Sequence, residues 1–327
     1  MLVAVTGGTG FLGAHTVAAL RRAGHSVRLL VRDGGRAPSD VDVVYGDVLN
    51  PDAVAEAVRG ADAVLHAAAV YSFDSRRRAA MARVNEEGTR VVLDAASAAD
   101  VGRVVHVSTI GALFAPGVRS VGPSSPVGRS RQPYLASKAA ADRLARSYQD
   151  DGHPVVVVYP PALLGPDDDR VGDQPARLLA LLCGLTPIWP RGGFGIGDVR
   201  DSAALTAWAL TAPAPDPRCF GPGEYVTTGE YLRVLRSVTG RWLPALRLPA
   251  RALLPMGALA DLVQPLWPWD IPVQLGAIVT CLRATAIDAP RGRPLVETVT
   301  DTVRWLHSRG LLTDRQAGAA IAEHATV

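Results

Sequence analysis

Lysine is nearly absent from this chain: of 34 basic residues, one, Lys138, is a lysine, and arginine fills every other basic position. Cysteine is also scarce. Cys183, Cys219 and Cys281 are odd in number, far apart and in no CxxC pair, which excludes a disulfide framework and a thiolate metal site and points to a reducing cytoplasm. A net charge of +3 over 327 residues is too weak to recruit nucleic acid or an anionic membrane by bulk charge. Long apolar runs are missing as well. The most lipid-like stretch, "ALLPMGALA" (252–260), is too short for a bilayer and holds Pro255, so no transmembrane segment is expected. The opening "MLVAVTGGTG" has no basic region before its apolar run, unlike a secretory leader. "DDD" (167–169) and "RRR" (76–78) read as solvated faces, and with no histidine or further carboxylate at ligand spacing no metal is assigned.

What is present is an alternation. Short β-branched runs, "LVAVT" (2–6), "SVRLLV" (26–31), "VDVVY" (41–45), "DAVLHA" (62–67), "RVVHVS" (103–108) and "PVVVVY" (154–159), read as strands. Between them 11–23, 51–58, 79–99 and 133–149 carry helical spacing, with Asn50–Pro51 as an N-cap followed by proline at the first helical position. Nearly continuous apolar strands between helices imply a parallel sheet covered on both faces, an α/β doubly wound (Rossmann) fold. Residues 1–166 plus about 197–228 form the expected dinucleotide-binding domain; helix 199–212 and strand "EYVTT" (224–228) are expected to return to the sheet. Residues 167–196 plus 229–327 form a smaller, mostly helical C-terminal substrate cap.

The first strand runs into "TGGTGFLG", which sets Gly7, Gly10 and Gly13 at a strand-to-helix junction. A dinucleotide pyrophosphate needs backbone N–H groups at a helix N-terminus, and a β-carbon there would block its approach. The second strand ends in Val31-Arg32-Asp33. An arginine can pair a 2′-phosphate, whereas a carboxylate repels it and suits a 2′-hydroxyl; Arg32 is assigned to the phosphate, which makes NADP the preferred cofactor and NAD the other. Asp47, ending the third strand, suits either the adenine amine or a turn. His66 reads as a packed core histidine.

The lone lysine lies in "PYLASKAAADRL" (133–144), one helical turn after Tyr134 and on the same face. A tyrosine hydroxyl ionises near pH 10, so lowering it by roughly three units takes about 4 kcal/mol of differential stabilisation. A compact ammonium helps supply that and also donates to ribose hydroxyls; a planar guanidinium serves both roles badly. The fifth strand ends in "VVHVSTIGA", where Ser108 and Thr109 point to opposite sides and either can polarise a substrate oxygen.

Together "TGGTGFLG", "GDVLNPD", "HAAAVYS", "NEEGTRVVLDAA", "VHVSTIGA", "YLASK" and "YPPALLGP" resemble the extended short-chain dehydrogenase/reductase family, in the branch of dihydroflavonol reductase-like and 3β-hydroxysteroid dehydrogenase-like proteins. The resemblance implies Thr109, Tyr134 and Lys138 as catalytic residues. It implies cofactor contacts from Gly7, Thr9, Gly10, Phe11, Leu12, Gly13, Arg32, Asp47, Val48, Ala67, Ala68, Tyr134, Lys138, Pro161 and Leu163. Two departures stand out, Tyr159 and Leu164, where the family pattern has arginine and tyrosine.

Tyr71 and Phe73, with Thr109 and Tyr134, are the expected substrate contacts, and Phe114, Leu182 and Trp189 are further candidates for an apolar lining. Such a lining favours a small to medium apolar substrate over a nucleotide sugar. The expected reaction interconverts a hydroxyl and a carbonyl. A redox-neutral epimerase or dehydratase with tightly bound NAD, and an NADP-sensing regulator without turnover, are the other readings. By resemblance a homodimer is also expected.

Overall fold

The structure is a computed structural model, and it describes all residues except 33–40, 73–74, 116, 119, 186–187, 267–274 and 325–327. Seven parallel strands form the central sheet in the order Arg218–Phe220, Val155–Tyr159, Arg103–Val107, Ala63–His66, Leu2–Thr6, Ser26–Val31 and Asp42–Tyr45. Neighbouring residues on a strand face opposite layers. Val64, Val104 and Val157 pack with Val54, Leu93 and Ala145, while Leu65, Val105 and Val158 pack with Val17, Leu20 and Leu210. This double burial explains why the strands read as unbroken apolar runs. Each fully buried valine or leucine contributes about 1.5–3 kcal/mol.

The chain leaves strand Leu2–Thr6 towards Ser26–Val31 on one side and later resumes on the other side with Ala63–His66. That reversal opens a crevice at the carboxyl ends of the strands, where ligands of such sheets bind. The Asn50 side chain accepts from the N–H groups of Asp52 and Ala53, so the helix Pro51–Val58 starts where proline and cap place it.

Two expectations need correction. Segment 79–99 is not one regular helix: Arg78–Ala82 and Gly88–Ala98 are joined by a π-helical turn, Arg83–Glu87, which buries Asn85. The strand Glu224–Thr227 does not return to the central sheet. It pairs antiparallel with Gly193–Asp198, which also pairs with Ala162–Leu164 in a separate three-stranded sheet. The seventh central strand is Arg218–Phe220, and the turn Gly221–Pro222–Gly223 redirects the chain between the two sheets. The helix Val199–Thr211 does return, packing on Phe11–Arg22. A second core, including Leu178, Leu182, Ile196, Leu235, Val299 and Leu306, holds the C-terminal region together.

Candidate active site

The glycine loop is built for close approach. Gly7 has φ +77°, and a β-carbon on it would stand 2.5 Å from the carbonyl carbon of Ala67 and the nitrogen of Ala68. On Gly13 a β-carbon would fall 2.1 Å from the Gly7 oxygen. The Gly10 N–H donates to the Gly7 carbonyl at 2.9 Å, and among the described residues no side chain caps the helix Phe11–Arg22 that begins here. The open N–H groups and positive dipole end of this helix suit a pyrophosphate, so the residues present fit a dinucleotide. Phe11 packs edge-on to His15, and the Leu12 carbonyl accepts from the Thr16 hydroxyl.

Arg32 is exposed just beyond strand Ser26–Val31, while Asp33 lies outside the described residues. One carboxylate oxygen of Asp47 accepts from the Leu49 N–H at 2.9 Å, the turn role allowed for it. Val48 is buried in the core. Ala67 continues the ladder by donating to the Thr6 carbonyl, with Ala68 next to it under the glycine loop.

The helix Pro133–Asp150 starts where Gln132 accepts from the Leu135 N–H at 2.7 Å. It carries Tyr134 and Lys138 to the carboxyl end of strand Arg103–Val107. There the Thr109 hydroxyl hydrogen-bonds the Tyr134 phenol and also accepts from the Gly111 N–H. Ser108 faces the other way, donating to Asp142 at 2.6 Å, so the two hydroxyls that the sequence left open are told apart. Lys138 Nζ donates to the Val107 carbonyl at 2.7 Å. Burial lowers its pKa to about 8, against the opposing pull of Asp142.

The tyrosine behaves differently from expectation. Burial, reinforced by the carboxylate of Asp173, holds the Tyr134 phenol above its usual range, and the Thr109 hydrogen bond pulls the other way. This environment favours the neutral phenol over the phenolate. Asp173 opens the helix Asp173–Leu182, accepts from the Tyr71 hydroxyl at 3.0 Å and pairs with Arg177 at 2.7 Å. Tyr71 in turn stands beside Tyr134, so this expected substrate contact does meet the catalytic candidates. Its partner Phe73 lies outside the described residues.

Behind Lys138 lies a buried polar layer. His66 lies between the hydroxyls of Thr6, 2.8 Å from Nδ1, and Thr89, 3.0 Å from Nε2. Thr89 spends its own proton on the Asn85 carbonyl, so it accepts from Nε2–H and His66 is the Nε2-protonated tautomer. Burial, then Lys138, lowers the His66 pKa to about 3, which keeps it neutral. It is a satisfied core histidine.

Sequence reasoning missed several residues here. Asn85 brackets the Val70 backbone from its N–H and carbonyl sides and donates to Ser137 at 3.0 Å, tying the chain before Tyr71 to the tyrosine helix. Its signal was hidden because a π-turn breaks the helical period. Arg170 reaches Thr9 of the glycine loop at 3.1 Å. Its neighbour Asp168, read as solvated, is buried and caps the Gly172 N–H at 2.8 Å. Tyr159, standing where family members carry arginine, is buried between Asp142 and Arg146, so an arginine arrives from the neighbouring helix instead. Pro161 is buried, and Leu163 pairs with Gly197; the Ile110 N–H bonds the Pro160 carbonyl and sets this segment beside Thr109. Phe114 and Leu182 belong to the two cores, and Trp189 packs on Tyr231, so none of the three stands out as pocket lining.

A parallel sheet with a glycine cradle at its point of reversal, followed by a helical C-terminal region, defines an oxidoreductase-type enzyme of the extended short-chain dehydrogenase/reductase fold. The chain belongs to the NAD dependent epimerase/dehydratase family, which it matches over residues 3–186. It is 30% identical to the sterol demethylase protein B of Methylococcus capsulatus over 95% of this chain and 100% of that one. It is 37% identical to a 4-hydroxy-2-methyl-3-oxo-4-farnesyl-3,4-dihydroquinoline-1-oxide ketoreductase of Stigmatella aurantiaca, over 97% and 96% of the two chains. The crystal structure of gox2253 superposes with a TM-score of 0.79 at 26% identity, covering 96% of this chain and 99% of that one.

Proposed function

We propose that this enzyme interconverts a carbonyl and a hydroxyl on an apolar substrate, working as a reductase with NADP(H). The observation that carries the reading is the hydrogen bond from Thr109 to Tyr134, one helical turn from the lone lysine. The cofactor, when bound, supplies or accepts the hydride at its nicotinamide. Thr109 polarises the substrate oxygen, and Tyr134 gives that oxygen its proton as the alcohol forms. The resulting phenolate is stabilised by the Lys138 ammonium until solvent returns the proton. Lys138 also holds the ribose. Gly7, Gly10 and Gly13 seat the pyrophosphate, and Arg32, exposed beyond its strand, pairs the 2′-phosphate. The names of two relatives, one a ketoreductase of a farnesylated ring and one a sterol demethylase protein, support an apolar substrate.

Native mass spectrometry of protein purified without nucleotide, followed by titration with NADPH and NADH, tests this. Exchangeable binding with NADPH preferred supports the reductase. NAD retained through dilution favours the redox-neutral epimerase and removes Arg32 from the phosphate. In the same preparation Tyr134→Phe should abolish turnover and leave cofactor affinity within a few fold; retained turnover overturns the mechanism.

A further inference from the structure

The helix Ala250–Val263 is apolar on two faces at once. Its inner stripe, Ala250, Leu253 and Gly257, packs on Leu275 and Ile278 of the next helix. Its outer stripe advances by three or four residues per step through Met256, Leu259, Leu262 and, on the following turn, Leu266. These are 40%, 61%, 74% and 87% exposed. A soluble surface helix presents charge on this side. Here the fourteen residues "ARALLPMGALADLV" hold one arginine and one carboxylate.

The rim is basic. The turn Ser75–Arg77 packs against Gln264–Leu266 and brings exposed Arg77 and Arg78 to the end of the stripe, and Arg251 is exposed at its start. The same chain runs back from this turn to Tyr71, beside Tyr134. The apolar stripe therefore lies next to the segment that leads into the candidate active site.

We infer that this stripe is an interfacial docking face for an anionic lipid surface, with the leucines in the acyl boundary and the arginines on headgroup phosphates. Apolar residues at helical spacing bury into the boundary region, and each basic residue near an anionic surface adds to the hold. A substrate with little water solubility would then have a short path from the bilayer to the cleft. The docking face does not depend on the hydride chemistry, and its test uses no turnover.

The test is co-sedimentation of the full chain with vesicles of phosphatidylcholine, with and without phosphatidylglycerol. Binding is expected to the anionic vesicles, about tenfold or more above the neutral ones and falling with salt. Leu259→Glu with Leu262→Glu should abolish it, and Arg77→Ala with Arg78→Ala should weaken it about tenfold. Circular dichroism and the unfolding midpoint should show both variants folded. Absent binding, or binding that survives the glutamates, overturns the inference. So does a dimer in sedimentation velocity that Leu262→Glu dissociates, because the stripe would then cover a second copy.

Discussion

The ring of Tyr71 meets that of Tyr134 edge-on, with centroids 4.5 Å apart and planes at 69°, and the Tyr71 hydroxyl is anchored on Asp173. A carboxylate is thereby placed near the phenol that, in the proposed mechanism, loses and regains a proton. Its negative charge disfavours the phenolate, so removing the charge must lower the Tyr134 pKa. In the alcohol-oxidising direction the proposed mechanism needs Tyr134 ionised, so the rate should rise with pH towards its titration. Asp173→Asn should move that limb to lower pH, read as a faster alcohol oxidation at one fixed alkaline pH. A limb that stays in place would show that Asp173 is not felt at Tyr134.

Lys138 supplies a second pH dependence. Its pKa, lowered to about 8 by burial, means the ammonium is present below that pH and lost above it. In the proposed mechanism both its support of the phenolate and its hold on ribose need the charge. The profile of kcat/KM for carbonyl reduction should therefore fall on the alkaline side with an apparent pKa of about 8. Lys138→Arg keeps its charge throughout, so this limb should vanish. The planar guanidinium should still cost at least about tenfold at neutral pH. An alkaline limb that persists in the arginine variant would assign it to another group.

The glycines separate two kinds of cost. Gly7 and Gly60 both adopt positive φ, +77° and +68°, but a β-carbon at Gly60 meets nothing within 4 Å among the described residues. Gly60→Ala should thus cost about 1 kcal/mol of stability from backbone strain and leave cofactor affinity alone. Gly7→Ala adds a collision with Ala67 and Ala68 and should cost more stability. It should also weaken nucleotide binding by at least about tenfold, read by NADPH fluorescence titration beside urea unfolding.

Such contrasts show what local sequence can carry. The strand at Val155–Tyr159, the cap at Asn50 and the Tyr134 to Lys138 spacing were legible because each is set by neighbours within a turn or two. Thr109 was separated from Ser108 by family resemblance, whereas their physical separation lies in Asp142, which is distant in sequence and claims Ser108. Asp173 and Arg170 were invisible because they reach the site across 102 and 161 residues of chain. The strand Glu224–Thr227 had the right composition and the wrong assignment, because composition specifies a strand and not its sheet. The raised pKa of Tyr134 follows from burial, which spacing alone does not encode.

One buried residue offers a test of cost without assigned chemistry. His106 lies beside His66, ring centroids 5.4 Å apart, and among the described residues neither of its ring nitrogens has a hydrogen-bond partner. Burying an unpaired polar group costs about 1–3 kcal/mol, whereas an apolar side chain of suitable shape costs nothing of that kind. Burial, then Lys138 and His66, also lowers the His106 pKa well below its ordinary value. Below about pH 6.5 the unfolded chain takes up a proton at this position that the folded protein refuses, so stability falls on acidification. His106→Val keeps β-propensity in the strand and removes both penalties, at the cost of some volume. It should be neutral to about 2 kcal/mol more stable than wild type at pH 7, and the difference should widen towards pH 5. Urea unfolding at the two pH values measures it. A variant clearly less stable at both would mean that the imidazole makes a favourable contact, such as a bound water, in the layer behind Lys138.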